Sequence, residues 1–311
     1  MLVEFYNQRR SKIFYHFLII TIFLSLMAFF SQFMLVSNNL RDFNMYADEA
    51  LRNGEDINHL LMNSSDNSFS NMELIENPLH YYYMAYHSSL AAMNLQNGIN
   101  QLLSSSFFVL FPLLAGIYGI VAANTDVKYQ TFKTKIKLKS VKKGNLNKVL
   151  ASLFSLFIFM GAAIVTFLFL QFCSSFFLPL EESVKIDSSL SNQISYLNLA
   201  PMQIAMVFFA STICFVLCFY ITVVTKKPLR TFFLLGIYNL ALPPLGKYDL
   251  KDILLSVYPN LFNTNASTFR INTGSGVELT VTLVIGICIV LLGYIFLMEY
   301  NQKKWSIPAE K

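Results

Sequence analysis

The run at 126–148, DVKYQTFKTKIKLKSVKKGNLNK, carries Lys128, Lys133, Lys135, Lys137, Lys139, Lys142, Lys143 and Lys148 against a single acid, Asp126. The chemistry such a run offers is electrostatic. It holds its side of a membrane by charge, and it presents a docking surface to whatever lies on that side. From Gln130 to Ser140 lysines alternate with Phe132, Ile136 and Leu138. Strict alternation is a strand signal. The same residues also suit a helix lying on an anionic leaflet, its lysines reaching to either side. Gly144-Asn145 is expected to break the segment.

Other chemistry is sparse. The sequence has no G-x-x-x-x-G-K-[ST] phosphate loop, no G-x-S-x-G and no H-E-x-x-H. No pair of carboxylates falls inside an apolar run; Glu278 and Glu299 sit at the ends of one. Ionisable groups at membrane depth mark ion pathways and proton relays, so their scarcity argues against a proton-coupled transporter or an intramembrane protease. Gln171, Gln203 and Asn239 are the deep polar side chains. Hydrogen bonding between helices is the preferred role for them over substrate contact. Cys173, Cys214, Cys218 and Cys288 lie in or beside apolar runs without a CxxC pair and read as small core hydrophobes. His80 and His87 share a helix face, a weak zinc signal without cysteines nearby. No catalytic or metal site is expected.

The elements that position these residues are apolar. Of 311 residues, 55% are hydrophobic and 13% charged, and the mean hydropathy is +0.50. Soluble domains carry roughly 25% charge, so the composition is that of an all-α polytopic membrane protein. The net charge of +5 is gathered in a few loops. It reads as membrane orientation, and no nucleic-acid partner is expected. The abundance of Lys, Asn, Ile and Phe suits an AT-rich bacterial genome, hence a bacterial cytoplasmic membrane.

Six apolar stretches are long enough to be spans: about 13–36, 102–123, 146–177, 200–225, 231–245 and 277–300. The first is too long for a cleaved signal and ends without an A-x-A site, so it reads as retained. Before it, Leu2, Phe5 and Tyr6 suit one side of a short interfacial helix, or else the basic start is a disordered tail. His16 and Gln32 are expected near water at opposite ends of span one. Pro112 should kink span two, and Gly116, Gly119 and Ala123 form a small-residue stripe for close helix packing. Gly161-Ala162-Ala163 offers the same in span three.

Residues 37–100 are poor in Lys and Arg and read as an outer helical cap. A weak helix is expected over 40–51 and a firm one from Asn77-Pro78, an N-cap and N1 pair, to a stop at Asn97-Gly98. Tyr81-Tyr82-Tyr83 suits the headgroup level; substrate contact is the alternative. Residues 178–199 also read as outside. Residues 246–276 form an outer amphipathic or re-entrant segment, with Leu250, Ile253, Leu254, Val257 and Leu261 at helical spacing. The clusters of lysine and arginine then fall on one side: Arg9, Arg10, Lys12, the run at 126–148, Lys226, Lys227, Arg230, Lys303 and Lys304. Both termini are thereby expected in the cytosol.

This arrangement resembles the permease subunit of a type-2 ABC exporter. The resemblance spans the chain as topology and is best over 124–154, where Thr131, the short apolar segment Phe132 to Leu138, the basic Lys142-Lys143-Gly144 and Lys148 match the family pattern. Gln130 stands where the family has Gly, and its acid is displaced to Asp126. The resemblance implies that 126–145 holds a coupling helix through which an ATPase acts, with Thr131, Phe132, Lys133, Ile136, Leu138, Lys142, Lys143 and Lys148 as the contact residues. It further implies two permease subunits, identical or homologous, and a separate cytoplasmic ABC ATPase in two copies that binds ATP-Mg. This chain itself would hold no cofactor. The cap is larger than in the simplest members and resembles that of peptide exporters, so a peptide or antimicrobial peptide is the expected cargo, giving peptide resistance. The other class of function compatible with the sequence is an ATP-independent, membrane-embedded peptide-binding or immunity protein.

Overall fold

In the computed structural model the described residues are 2–62, 77–104, 106–128, 141–174, 176, 200–238 and 262. They are helical throughout, without a strand among them. Among the described residues, four helices are long and apolar enough to cross a membrane: Ile13–Arg52, Phe107–Thr125, Leu146–Ser174 and Ala200–Thr225. The alternating stretch 129–140 and the segments expected at 178–199, 246–276 and 277–300 lie outside the described residues, Phe262 apart.

The first surprise is length. After α1 (Leu2–Arg10), helix α2 runs unbroken over Ile13–Arg52. At 1.5 Å per residue its 40 residues reach about 60 Å, about twice a bilayer core. The apolar run ends at Val36, but the helix does not. Residues 37–52 contain neither Gly nor Pro. The chain turns only beyond Asn53, where Gly54 takes φ 74°, a conformation in which a Cβ is costly. The weak helix expected over 40–51 is thus the C-terminal part of α2.

The cap folds back on this rod. Helix α3 (Ile57–Met62) leads toward α4 (Pro78–Ala92), which packs along the outer part of α2. The expected N-cap holds: Asn77 Oδ1 accepts the His80 amide at 3.0 Å, with Pro78 following. The expected stop does not. Met93 is the C-cap of α4, and after one 3₁₀ turn (Leu95–Asn97) Gly98 opens a new helix, α5 (Gly98–Ser104). Helix α6 (Ser106–Lys128) then carries Pro112 in its interior.

Helix α7 (Val141–Ser174) begins before the apolar run and passes through Gly144-Asn145 without a break, contrary to the sequence expectation. A single Gly costs a helix interior only about 1 kcal/mol, which 34 consecutive residues readily absorb. Helix α8 (Ala200–Thr225) has the predicted bounds. Lys226 turns the chain at φ 54°, and α9 (Pro228–Gly236) opens on a proline.

Helices α6 and α8 form the centre of the bundle and its most extensive contact. Within their apolar windows 67% and 61% of residues are buried, against 28% for α2 and 33% for α7 on the periphery. The glycine stripe makes this possible. A Cβ on Gly119 would stand 2.6 Å from the Phe215 carbonyl oxygen, and one on Gly116 would stand 2.8 Å from Leu235 of α9. Gly161 of α7, by contrast, has open space around it, so close packing in that triplet rests on Ala163. There the buried Ser25 hydroxyl of α2 donates to the Ala163 carbonyl at 2.8 Å. The outward faces of α2 (Phe23, Met27, Phe30, Met34) and α7 (Phe154, Phe157, Gly161, Val165, Phe169) recur every three to four residues and are exposed, as lipid-facing stripes should be.

Candidate functional site

Of the residues expected to couple to an ATPase, Thr131, Phe132, Lys133, Ile136 and Leu138 lie outside the described residues. Lys142 and Lys143 are in the first turn of α7. Lys148 lies two turns inside that helix rather than opening it, and it is buried, with 3% of its surface exposed. Its Nζ donates to Thr125 Oγ1 of α6 at 2.6 Å. Thr125 in turn donates to the Ala122 carbonyl at 2.7 Å, which fixes its lone pairs toward the amine. The two helices that flank 129–140 in sequence, α6 and α7, are therefore joined to each other at Thr125 and Lys148.

A second polar group lies deeper at the same end of the bundle, and nothing in the periodicity announced it. Gln8 of α1 is buried among α6 and α7. Its Nε2 donates to Ser152 Oγ at 2.8 Å. Its Oε1 accepts from the Tyr118 hydroxyl at 2.8 Å and from Ser155 Oγ at 3.1 Å. Phe5 supports the same docking, its ring edge-on to Phe14 at 5.5 Å and Phe154 at 5.4 Å. Helix α1 is thus seated on the bundle, not a loose tail, and Tyr6 is its exposed side. The available signal was weak: Ser152 and Ser155 share one face of an otherwise apolar helix, while Gln8 sits in a polar, basic segment where a glutamine draws no notice.

The opposite end is built around α5. Three glutamines from three membrane-length helices converge on this segment and the end of α4. Gln32 of α2 accepts from Gln101 Nε2 at 2.6 Å and donates to the Ser89 carbonyl of α4 at 3.5 Å. Gln203 of α8 donates to Asn100 Oδ1 at 2.9 Å. Gln171 of α7 donates to the Ala92 carbonyl, at the end of α4, at 3.5 Å, and its Oε1 is buried without a hydrogen-bond partner. A side chain at position 98 would run into Gln171 and Leu168, which explains why glycine opens α5 rather than closing α4. The expected interhelical role of Gln171 and Gln203 is what the structure shows. Gln32 departs from expectation: it is 5% exposed and bonded within the protein. His16, at the other end of α2, is exposed, with Nδ1 2.7 Å from the Lys12 carbonyl.

In the cap, Tyr81-Tyr82-Tyr83 separates into three environments. Tyr83 is buried against Phe43 at 5.6 Å and His87 at 4.3 Å. Tyr82 stacks on Tyr46 of α2 with centroids 5.0 Å apart and planes 12° apart. Tyr81 meets Tyr82 edge-on and is exposed. His80 is engaged locally, its Nδ1 3.0 Å from the Leu61 carbonyl. Comparison with protein-family models, with curated proteins and with solved structures finds no match for this chain.

Proposed function

We propose that the chain is the transmembrane permease subunit of an ATP-driven ABC exporter, with six spans and both termini in the cytosol of a bacterial cell. One observation carries the reading. The lysine-rich run 126–148 joins two membrane-length helices whose facing ends are locked by Lys148 and Thr125. A force applied between them enters the core of the bundle directly, since α6 also lies in its central pair. The chain has no phosphate loop of its own, so the work of transport falls to a separate cytoplasmic ATPase, in two copies beneath two permease subunits. A peptide, antimicrobial peptides included, is the proposed cargo.

The test has two parts. Affinity purification of the chain from its native host should bring down a small ATPase, and the chain alone should hydrolyse no ATP. In the reconstituted complex, the double substitution Phe132→Asp and Ile136→Asp should leave ATP hydrolysis running and reduce transport at least tenfold. Normal transport in that variant would remove the coupling assignment. Labelling that reached 126–148 only from outside the cell would remove the topology as well.

A second reading is favoured by the aromatic, acid-rich cap: a peptide-binding or immunity protein that acts without ATP. Resistance that persists after every neighbouring ATPase is deleted would favour it over export.

A further inference from the structure

We propose that the cap binds the guanidinium groups of a cationic peptide at the seam between α2 and α4, on Asp42, Tyr46, Glu49, Tyr81 and Tyr82. The proposal deepens the export reading by naming the chemistry of the cargo, and it rests on that reading only for the side of the membrane on which cap and peptide meet.

The seam is assembled from two helices. Asp42, Tyr46 and Glu49 follow at intervals of four and three, so one face of α2 offers carboxylate, ring and carboxylate in turn. Across from it, α4 supplies Tyr82, stacked on Tyr46, and Tyr81, whose ring stands at 83° to Tyr82 with 5.2 Å between centroids. The apolar side of the same seam is already used. Phe43, Ala47 and Ala50, with the inner side of Tyr46, pack with Leu61, Leu79 and Tyr83 to form the small core of the cap. What remains outward is aromatic and acidic. Tyr46 and Tyr82 are half-buried, Tyr81 is 36% exposed, and Glu49 is exposed.

A guanidinium is flat and always charged, and it makes two contacts at once. Its face stacks on an electron-rich ring, and its edge donates to a carboxylate. An ammonium shares the charge but lacks the plane and the fork. The seam matches the first cation more fully than the second. Asp42 already holds one: Arg41 Nε lies 3.6 Å from its Oδ1. Arg41 is 76% exposed, and an ion pair so open to water contributes little, so an incoming arginine can displace it. The ring face also keeps its character at neutral pH. A phenol is already uncharged at pH 7, and burial first, then the neighbouring Tyr46 and Asp42, raise the Tyr82 pKa further above its ordinary value. The wider field points the same way. Residues 37–100 hold eight acids against Arg41 and Arg52, enough to draw cations toward this end.

The experiment uses the purified full-length chain in nanodiscs of phosphatidylcholine, without ATPase or nucleotide, titrated with fluorescein-labelled hexa-arginine and, separately, hexa-lysine. Hexa-arginine should bind, and hexa-lysine should bind severalfold more weakly. Asp42→Asn with Glu49→Gln, and separately Tyr46→Leu with Tyr82→Leu, should each weaken hexa-arginine about fivefold or more. Should the double leucine variant fail to fold, the Asn/Gln variant, which preserves shape, decides alone. Wild-type affinity in the Asn/Gln variant, equal affinity for the two peptides, or no binding of hexa-arginine overturns the site. Binding that meets these expectations from a chain that recruits no ATPase keeps the site and removes the exporter reading.

Discussion

The two ends of the bundle solve one problem in opposite ways. Each must join helices through polar side chains in an apolar setting. At the α1 end a single glutamine, Gln8, serves Ser152, Ser155 and Tyr118 through three bonds of 2.8 to 3.1 Å. At the cap end three glutamines reach one seven-residue helix and its neighbour, and their bonds are uneven. Gln101–Gln32 at 2.6 Å and Gln203–Asn100 at 2.9 Å are short. The two glutamine bonds to α4, from Gln32 and Gln171, are both 3.5 Å, beyond the usual 2.7–3.2 Å for such pairs, whereas Asn39 of α2 donates to the Ala85 carbonyl at 3.1 Å and to Ser89 Oγ at 3.2 Å. A buried acceptor without a partner, as at Gln171 Oε1, costs about 1–3 kcal/mol. The difference teaches where the fold is settled and where it has something to gain by rearranging. The α1 end is closed. The cap end holds α5 firmly to α2 and α8 and ties α4 to α2 through Asn39, but it leaves Gln171 with one long bond and one unmet acceptor.

Both ends hang on the α6–α8 seam, so the largest expected effect comes from opening it. Gly119→Ala sets a methyl against the Phe215 backbone, which cannot swing aside as a side chain would. Overpacking of this kind costs about 1–3 kcal/mol. Thermal unfolding in detergent should shift down, and protection from hydrogen exchange should fall at both ends together. Gly161→Ala in open space is the matched control and should be neutral or mildly stabilising. Equal behaviour of the two variants would mean that the seam is looser than its geometry.

The comparison itself is tested by Gln8→Leu against Gln171→Met. Hydrogen bonds between membrane helices average about 0.6 kcal/mol, so the loss of three bonds at Gln8 should cost about 2 kcal/mol. Exchange should rise in α1 and around Ser152 and leave α5 unchanged. Gln171→Met removes one long bond and one unsatisfied oxygen at similar volume, and should change stability by less than about 0.5 kcal/mol in either direction. A larger loss from Gln171 than from Gln8 would reverse the ranking of the two ends.

Much of this was legible in the sequence, and what was missed was missed for physical reasons. Hydropathy located α8 to the residue and α2, α6 and α7 in their cores, because lipid burial needs a long apolar run. Hydropathy reports where a helix leaves lipid and says nothing of where it ends, which is why α2 outran its span by sixteen residues, from Val36 to Arg52. Asn97-Gly98 carried the composition of a helix stop, but the glycine answers to the nearness of Gln171, a tertiary demand with no local trace. The glycine stripe of α6 was readable because small residues at helical spacing have one principal use between helices. Gln8 was not, since one polar residue among basic neighbours looks like surface until α1 is docked.

The smallest expected effect separates the two ends by pH. In the cap, the His87 ring lies 4.3 Å from Tyr83 and 5.4 Å from Tyr86; the residue is still exposed, and its partial burial lowers its pKa from the ordinary 6.5. Below pH 6.5 the unfolded cap therefore takes up a proton that the folded cap resists. The contribution of His87 is complete above that pH and is lost as pH falls through the lower, folded value. Gln8, Ser152 and Ser155 do not titrate, so the α1 end has no matching response from its own hydrogen bonds. Hydrogen exchange of α4, corrected for intrinsic rates, should rise between pH 7.5 and pH 5.0, while α6 and α8 stay protected. His87→Gln should flatten the response. If the response persists in that variant, the acids of the cap govern it and the ring of His87 does not.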